Sequence, residues 1–119
     1  MADLGGRHAL IIEDEMMIAL SLEDMLTGLG FLSFDIADSA AAAMRCARRR
    51  RPDMITADGR INGGTGMEAV DLITDAMGAI PVVYVTGTPK IIVGRSPVVA
   101  KPFSSETLGA ACAQVYSFH

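Results

Sequence analysis

The stretch Met54-Ile55-Thr56-Ala57-Asp58-Gly59 decides how the rest of the chain is read. A mostly apolar run follows Pro52 and Asp53, the pattern of a short buried strand, and it ends on a carboxylate. Behind it comes Gly59-Arg60-Ile61-Asn62-Gly63-Gly64-Thr65-Gly66, a turn-rich loop with neither helical nor strand period. In an open parallel sheet, ligands bind where strands stop and loops begin. Asp58 is therefore a candidate site residue; the competing reading is an Asp that merely starts a turn.

Outward from Asp58, strands and helices alternate. Upstream, Ala9-Leu10-Ile11-Ile12 is a continuous apolar run of the kind buried on both faces of a parallel sheet, and it stops at Glu13-Asp14-Glu15. The period then turns helical, with Ile18, Leu22, Met25 and Leu29 on one stripe and Gly28 and Gly30 at its end. A second strand is predicted at Ser33–Ile36 within Phe31–Ala37. Asp38 or Ser39 caps a second, alanine-rich helix that runs into Arg45-Cys46-Ala47-Arg48-Arg49-Arg50-Arg51 and stops at Pro52. Downstream, a third helix starts near Gly66, carries Met67, Val70, Ile73 and Met77 on one face, and closes at Gly78. Pro81–Val85 and Pro97–Ala100 are the fourth and fifth strands, ending at Thr86-Gly87 and Lys101-Pro102. Ser104 caps a last helix with Leu108, Ala111, Cys112 and Val115 as its buried stripe. Five strands alternating with helices predict an α/β domain, a doubly wound parallel sheet with right-handed crossovers.

Composition narrows the class. The 119 residues fit one domain over positions 1–119, with no output domain expected. Half the residues are hydrophobic, with no Trp, so the core is built from aliphatic side chains and Met. A net charge of −4 argues against a nucleic-acid binder. Cys46 and Cys112 have neither zinc nor redox spacing and read as reduced, buried small hydrophobes. Residues 1–7 lack signal-peptide architecture, and no apolar run approaches the ~20 residues needed to span a membrane, so a cytoplasmic protein is expected.

The strand ends carry the chemistry: Glu13-Asp14 on the first, Asp58 on the third, Thr86 on the fourth and Lys101 on the fifth. A doubly wound sheet opens all of these on one edge. Two like charges about 4 Å apart repel by roughly 4 kcal/mol at an effective dielectric near 20, so three bare carboxylates need an offset. An oxygen-liganded Mg²⁺, held by one or two carboxylates and several waters, supplies it. The alternative for Glu13 and Asp14 is a solvated helix N-terminus that suits the dipole.

In this order, the acidic pair, Asp58, the loop to Gly66, Thr86-Gly87 and Lys101-Pro102-Phe103 resemble the receiver domain of two-component response regulators over essentially the whole chain. The resemblance implies a flavodoxin-like sheet in the order 2-1-3-4-5 and a phosphoryl group passed to Asp58 by a histidine kinase or histidine phosphotransfer protein. It implies Asp58 as nucleophile, with Thr86 and Lys101 on the phosphoryl oxygens. It also implies Mg²⁺ on Asp14, Asp58 and the Arg60 backbone carbonyl, with Glu13 reaching the ion through water. A cis bond between Lys101 and Pro102 follows from the same resemblance.

Three departures stand out. Asn62 occupies a position where the family commonly has proline, and Val98 replaces the usual aromatic switch three residues before Lys101. Only Gly87–Ser96 remains for the fourth crossover, which predicts a shortened or missing fourth helix around Lys90–Val93, with an order–disorder response to phosphate. Together with Tyr84-Val85-Thr86-Gly87 this is similar to single-domain receivers with a Phe-Ala-Thr-Gly-like motif, which work with HWE-type sensor kinases. The functional expectation is a phosphoacceptor that signals by binding proteins or serves as a phosphate sink. Alternatives are a receiver-like interaction module independent of phosphorylation, and a Mg²⁺-dependent phosphohydrolase. The latter is opposed by Arg60, where dehalogenase-type phosphatases carry a second Asp.

The other features read blandly. Arg45, Arg48, Arg49, Arg50 and Arg51, half the chain's ten cations, suit a helix C-terminus and a solvated face. Met16 and Met17 read as core by default, or as the rim of a docking face. His8 and His119 read as surface residues, and Gly63-Gly64-Thr65-Gly66 matches no phosphate-loop fingerprint.

Overall fold

A computed structural model describes residues 7–87 and 96–116. Its elements run β1 (Arg7–Ile12), α1 (Met16–Gly28), β2 (Phe31–Ala37), α2 (Ala40–Arg49), β3 (Met54–Ala57), β4 (Arg60–Ile61), β5 (Gly64–Thr65), α3 (Gly66–Met77), β6 (Val82–Thr86), β7 (Val98–Ala100) and α4 (Ser105–Tyr116). Five strands form one parallel sheet in the order β2-β1-β3-β6-β7, the 2-1-3-4-5 order expected once the two short strands are set aside. Those short strands pair antiparallel as a separate ribbon, Arg60 opposite Thr65 and Ile61 opposite Gly64. Sequence reading missed the ribbon because two-residue strands carry no periodicity. The fourth-crossover helix and its expected disorder fall on residues 88–95, which lie outside the described residues.

Each sheet face buries its own core. Ala9, Ile11, Met54, Val83, Val85 and Val99 pack with Ala19, Leu22 and Leu26 of α1 and with Leu108, Ala111, Cys112 and Val115 of α4. Leu10, Ile12, Ile55, Ala57, Val82 and Tyr84 pack with Ala43 and Ala47 of α2 and with Ala69, Val70 and Ile73 of α3. Strand residues alternate between the two faces, as the period of two requires. On α1 the buried stripe is Ala19, Leu22 and Leu26, while Ile18, Met25 and Leu29 of the predicted stripe are only partly buried.

Local chemistry fixes the helix starts. Ser39 Oγ accepts from Ala42 N at 3.2 Å, which decides between the two candidate caps. Thr65 and Glu68 close a capping box on α3. Ser104 Oγ accepts from Thr107 N at the start of α4. Gly78 ends α3 with φ of 87°, a conformation open to glycine.

Three predictions need correction. His8 is buried, not a surface residue, with 3% of its surface exposed. Its Nε2 donates to Asp35 Oδ2 at 3.0 Å, Nδ1 lies 2.8 Å from Ser33 Oγ, and its backbone N–H donates to Asp53 Oδ2 at 2.7 Å. A buried imidazole is tolerated because every polar atom is satisfied. Met16 and Met17 are 60% and 81% exposed, so packing in the core is wrong for both. Cys112 is buried as expected, but Cys46 is only half-buried.

Candidate functional site

The edge where the parallel strands end gathers the predicted residues, and backbone bonds fix them there. Glu13 N–H donates to Ala37 O, Asp58 N–H to Ile12 O, and Lys101 N–H to Thr86 O, each at 2.9 Å. Glu13, Asp58 and Lys101 thus sit one step past their strands yet remain tied to the sheet. By alternation from Ile11, Thr56 and Val99 they share the face that α1 and α4 cover.

Lys101 joins the two carboxylates. Its Nζ donates to Glu13 Oε1 at 2.8 Å and to Asp58 Oδ2 at 3.2 Å. Glu13 Oε2 accepts from Glu15 N–H at 3.1 Å, so both Glu13 oxygens are committed within the chain. Burial pushes the Glu13 carboxyl up to about 7; the Lys101 and Glu15 hydrogen bonds oppose the shift and the Asp58 charge adds to it. Burial works against the Lys101 charge, but the Glu13 hydrogen bond and the two acidic neighbours outweigh it, so the ammonium is held above its ordinary value. Asp58 is 8% exposed, whereas Asp14 is exposed and forms the open side of the site. Thr86 ends β6 and is buried, and Lys101-Pro102 is a cis peptide.

The loop after Asp58 is shaped to this site. Gly66 N–H bonds back to Gly59 O at 3.3 Å, and a Cβ on Gly66 would fall 1.8 Å from the Asp58 carbonyl oxygen. Only glycine permits that approach. Arg60, whose carbonyl was expected on the metal, lies on β4 with its side chain exposed.

Glu13, Asp14 and Asp58 each place one carboxylate oxygen within 4.8 Å of the other two. Two ligands on a Mg²⁺ at about 2.1 Å stand at most about 4.2 Å apart. Small side-chain adjustments therefore bring this all-oxygen donor set into range, and the residues fit the ion.

The chain matches the response regulator receiver domain family over residues 9–113. It belongs to that family. Among curated proteins, this receiver is 33% identical over 116 residues to the phyllosphere-induced regulator PhyR of Methylorubrum extorquens, a match covering 92% of this chain and 43% of PhyR. Among solved structures it resembles the Erythrobacter litoralis PhyR receiver domain, with TM-score 0.87, 27% identity and coverage of 97% and 93%. It also resembles PhyR of Brucella abortus, with TM-score 0.86, 28% identity and coverage of 98% and 50%. The receiver spans less than half the length of the curated relative. No helix among its described residues is long and apolar enough to cross a membrane.

Proposed function

We propose that this receiver takes a phosphoryl group onto Asp58 from the phosphohistidine of a sensor kinase or phosphotransfer protein, and signals through phosphorylation-dependent protein binding or drains phosphate from a relay. The observation that carries this reading is Lys101 held between Glu13 and Asp58 beside an exposed Asp14. An Asp58 oxygen attacks phosphorus, a P–O bond forms as the P–N bond breaks, and the imidazole leaves with the electron pair. Lys101 then turns from Glu13 to a phosphoryl oxygen, and the Thr86 hydroxyl donates to another. Mg²⁺, held by Asp14, Asp58 and the Arg60 carbonyl, would supply charge neutralisation and orientation for the incoming oxygens.

Partner class follows from the rim. Met16, Met17 and Leu20 are exposed on the first turns of α1, next to Asp14, and offer an adaptable apolar patch to a donor helix. The likeness of Tyr84-Val85-Thr86-Gly87 to the Phe-Ala-Thr-Gly-like subgroup makes HWE-type kinases the preferred donors. A related solved structure is described as an anti-anti-sigma factor and another as a stress response regulator, which suggests signalling of that kind as the setting.

Incubation with Mg²⁺ and acetyl phosphate tests the chemistry by intact-protein mass. The expected result is a single phosphoryl adduct on the parent and none on Asp58→Asn. Absence of an adduct on the parent would favour the phosphorylation-independent module, and rapid multiple turnover the phosphohydrolase. Transfer from HWE-type but not other kinases would support the narrower partner assignment.

A further inference from the structure

The outer surface of α2 and α3 carries a charge pattern that phosphotransfer does not use. Arg45 and Arg48 are exposed on α2. Glu68, Asp71 and Asp75 are exposed on α3 at i, i+3 and i+7, a single outward ridge. The helices pack side by side on one face of the sheet, α2 over β2 and β1, α3 over β3. Among the described residues, the side chains of Arg45, Arg48, Asp71 and Asp75 make no hydrogen bond or ion pair. Two of their neighbours in the arginine run are occupied. Arg49 pairs with Asp35 of β2 at 2.9 Å, and Arg51 caps α3 through the carbonyls of Met77 and Ala79.

Arg49 also orients the helices. It reaches toward the β2 edge, so at about 100° per residue Arg48 falls on the opposite flank, toward α3. α3 runs in the same direction, which turns its Leu72 and Ala76 flank toward α2. Both residues are exposed, Leu72 by 53%. The face therefore reads, from one side to the other, basic ridge, apolar groove, acidic ridge.

We propose that this face is a two-fold interface with a second copy of the chain, α2 of each copy lying parallel along α3 of the other. Rotation by 180° about an axis running along the groove sets basic ridge on acidic ridge twice and brings the two Leu72 side chains to the centre. The parallel setting places Arg45, midway along α2, near Asp71, midway along α3, and places Arg48, late in α2, near Asp75, late in α3. A nucleic acid or anionic membrane fits less well. Packed helices lie about 8–10 Å apart, close to the Debye length of about 8 Å at physiological ionic strength. A polyanion on the arginines would thus meet only partly screened repulsion from the acidic ridge. The interface leaves the strand-end site and α1 open, so a dimer can still receive phosphate.

Exposed ion pairs are individually weak, so the dimer is salt-sensitive, losing about tenfold in affinity between 0.05 and 0.5 M NaCl. Sedimentation equilibrium across concentration and salt measures this on the intact chain. Arg45→Glu/Arg48→Glu and Asp71→Lys/Asp75→Lys should each be monomeric where the parent dimerises. An equimolar mixture of the two should recover a heterodimer, and the fourfold charge swap in one chain a homodimer. Circular dichroism melts confirm that the variants fold. A parent that stays monomeric at all concentrations, a dimer that survives both reversals, or reversed chains that fail to recombine would each overturn the proposal. So would a monomeric parent that binds a DNA duplex through the two arginines.

Discussion

At the scale of single residues, the site is defined by what each polar group already holds. Glu13 binds its proton in the folded protein at pH values where the unfolded chain has lost it, because burial raises its carboxyl from 4.5 to about 7. Between those limits the native state carries more protons than the unfolded one, so the Glu13 contribution makes stability fall as pH rises through that window. The fall is on the order of 1–3 kcal/mol. Urea unfolding of the metal-free protein from pH 4.5 to 7.5 should show this decline, and Glu13→Gln should flatten it; an unchanged slope in the variant would refute the assignment. One layer beneath, on the same face as Asp58, Thr56 is fully buried, and its Oγ1 is the one such side-chain atom without a partner among the described residues. A buried hydroxyl with no hydrogen bond costs about 1–3 kcal/mol. Thr56→Val keeps the branched shape between Ile11 and Val83 and should raise stability by about 1 kcal/mol in the same assay. A destabilised variant would mean that the hydroxyl is satisfied by a buried water.

At the scale of elements, the loop from Asp58 to Gly66 does the positioning. The ribbon β4–β5 folds it back, the Thr65–Glu68 box starts α3, and Gly66 lies against the Asp58 backbone. Gly66→Ala forces a methyl to 1.8 Å from the Asp58 carbonyl oxygen, so either the helix start or Asp58 must move. Thermal melts should show a loss of about 2 kcal/mol or more, and phosphorylation by acetyl phosphate should slow more than the remaining folded fraction accounts for. A variant matching the parent on both counts would show that the loop relaxes freely. The elements themselves were legible in sequence, because an apolar run that stops at a charged residue marks both a buried parallel strand and its functional end. That is why Glu13, Asp58 and Lys101 could be assigned to one edge before any coordinates. His8 was not legible: its burial depends on Ser33, Asp35 and Asp53, contributed by a neighbouring strand and a distant loop. The joint commitment of Glu13 to Lys101 and Glu15 was hidden for the same reason. Residue type put Glu13 near the metal, while only the fold shows which partners its oxygens reach. Met16 and Met17 follow the apolar rule in composition but fall on the open side of α1, which a four-residue stripe could not resolve.

At the scale of the whole molecule, the carboxylates converge only in the folded chain, since Glu13 and Asp14 follow β1 while Asp58 follows β3. A cation that needs both ends binds the native state and not the unfolded one, and stabilises it by mass action. At ten times its dissociation constant Mg²⁺ should add about 1.4 kcal/mol, roughly 3–6 °C in melting temperature for a chain of this size. Asp14→Asn should lose most of that gain. Lys101→Met should enlarge it, because the ammonium and the ion compete for the same Asp58 and Glu13 oxygens. Arg45→Glu, on the far face of α2, should respond like the parent when measured at dilutions where the chain is monomeric. The ordering Lys101→Met above parent above Asp14→Asn distinguishes a site built on these carboxylates from diffuse attraction of a divalent ion to a chain of net charge −4. In diffuse attraction Arg45→Glu, which lowers the net charge by two, would gain at least as much as Lys101→Met, which lowers it by one, and that outcome would remove Lys101 from the site.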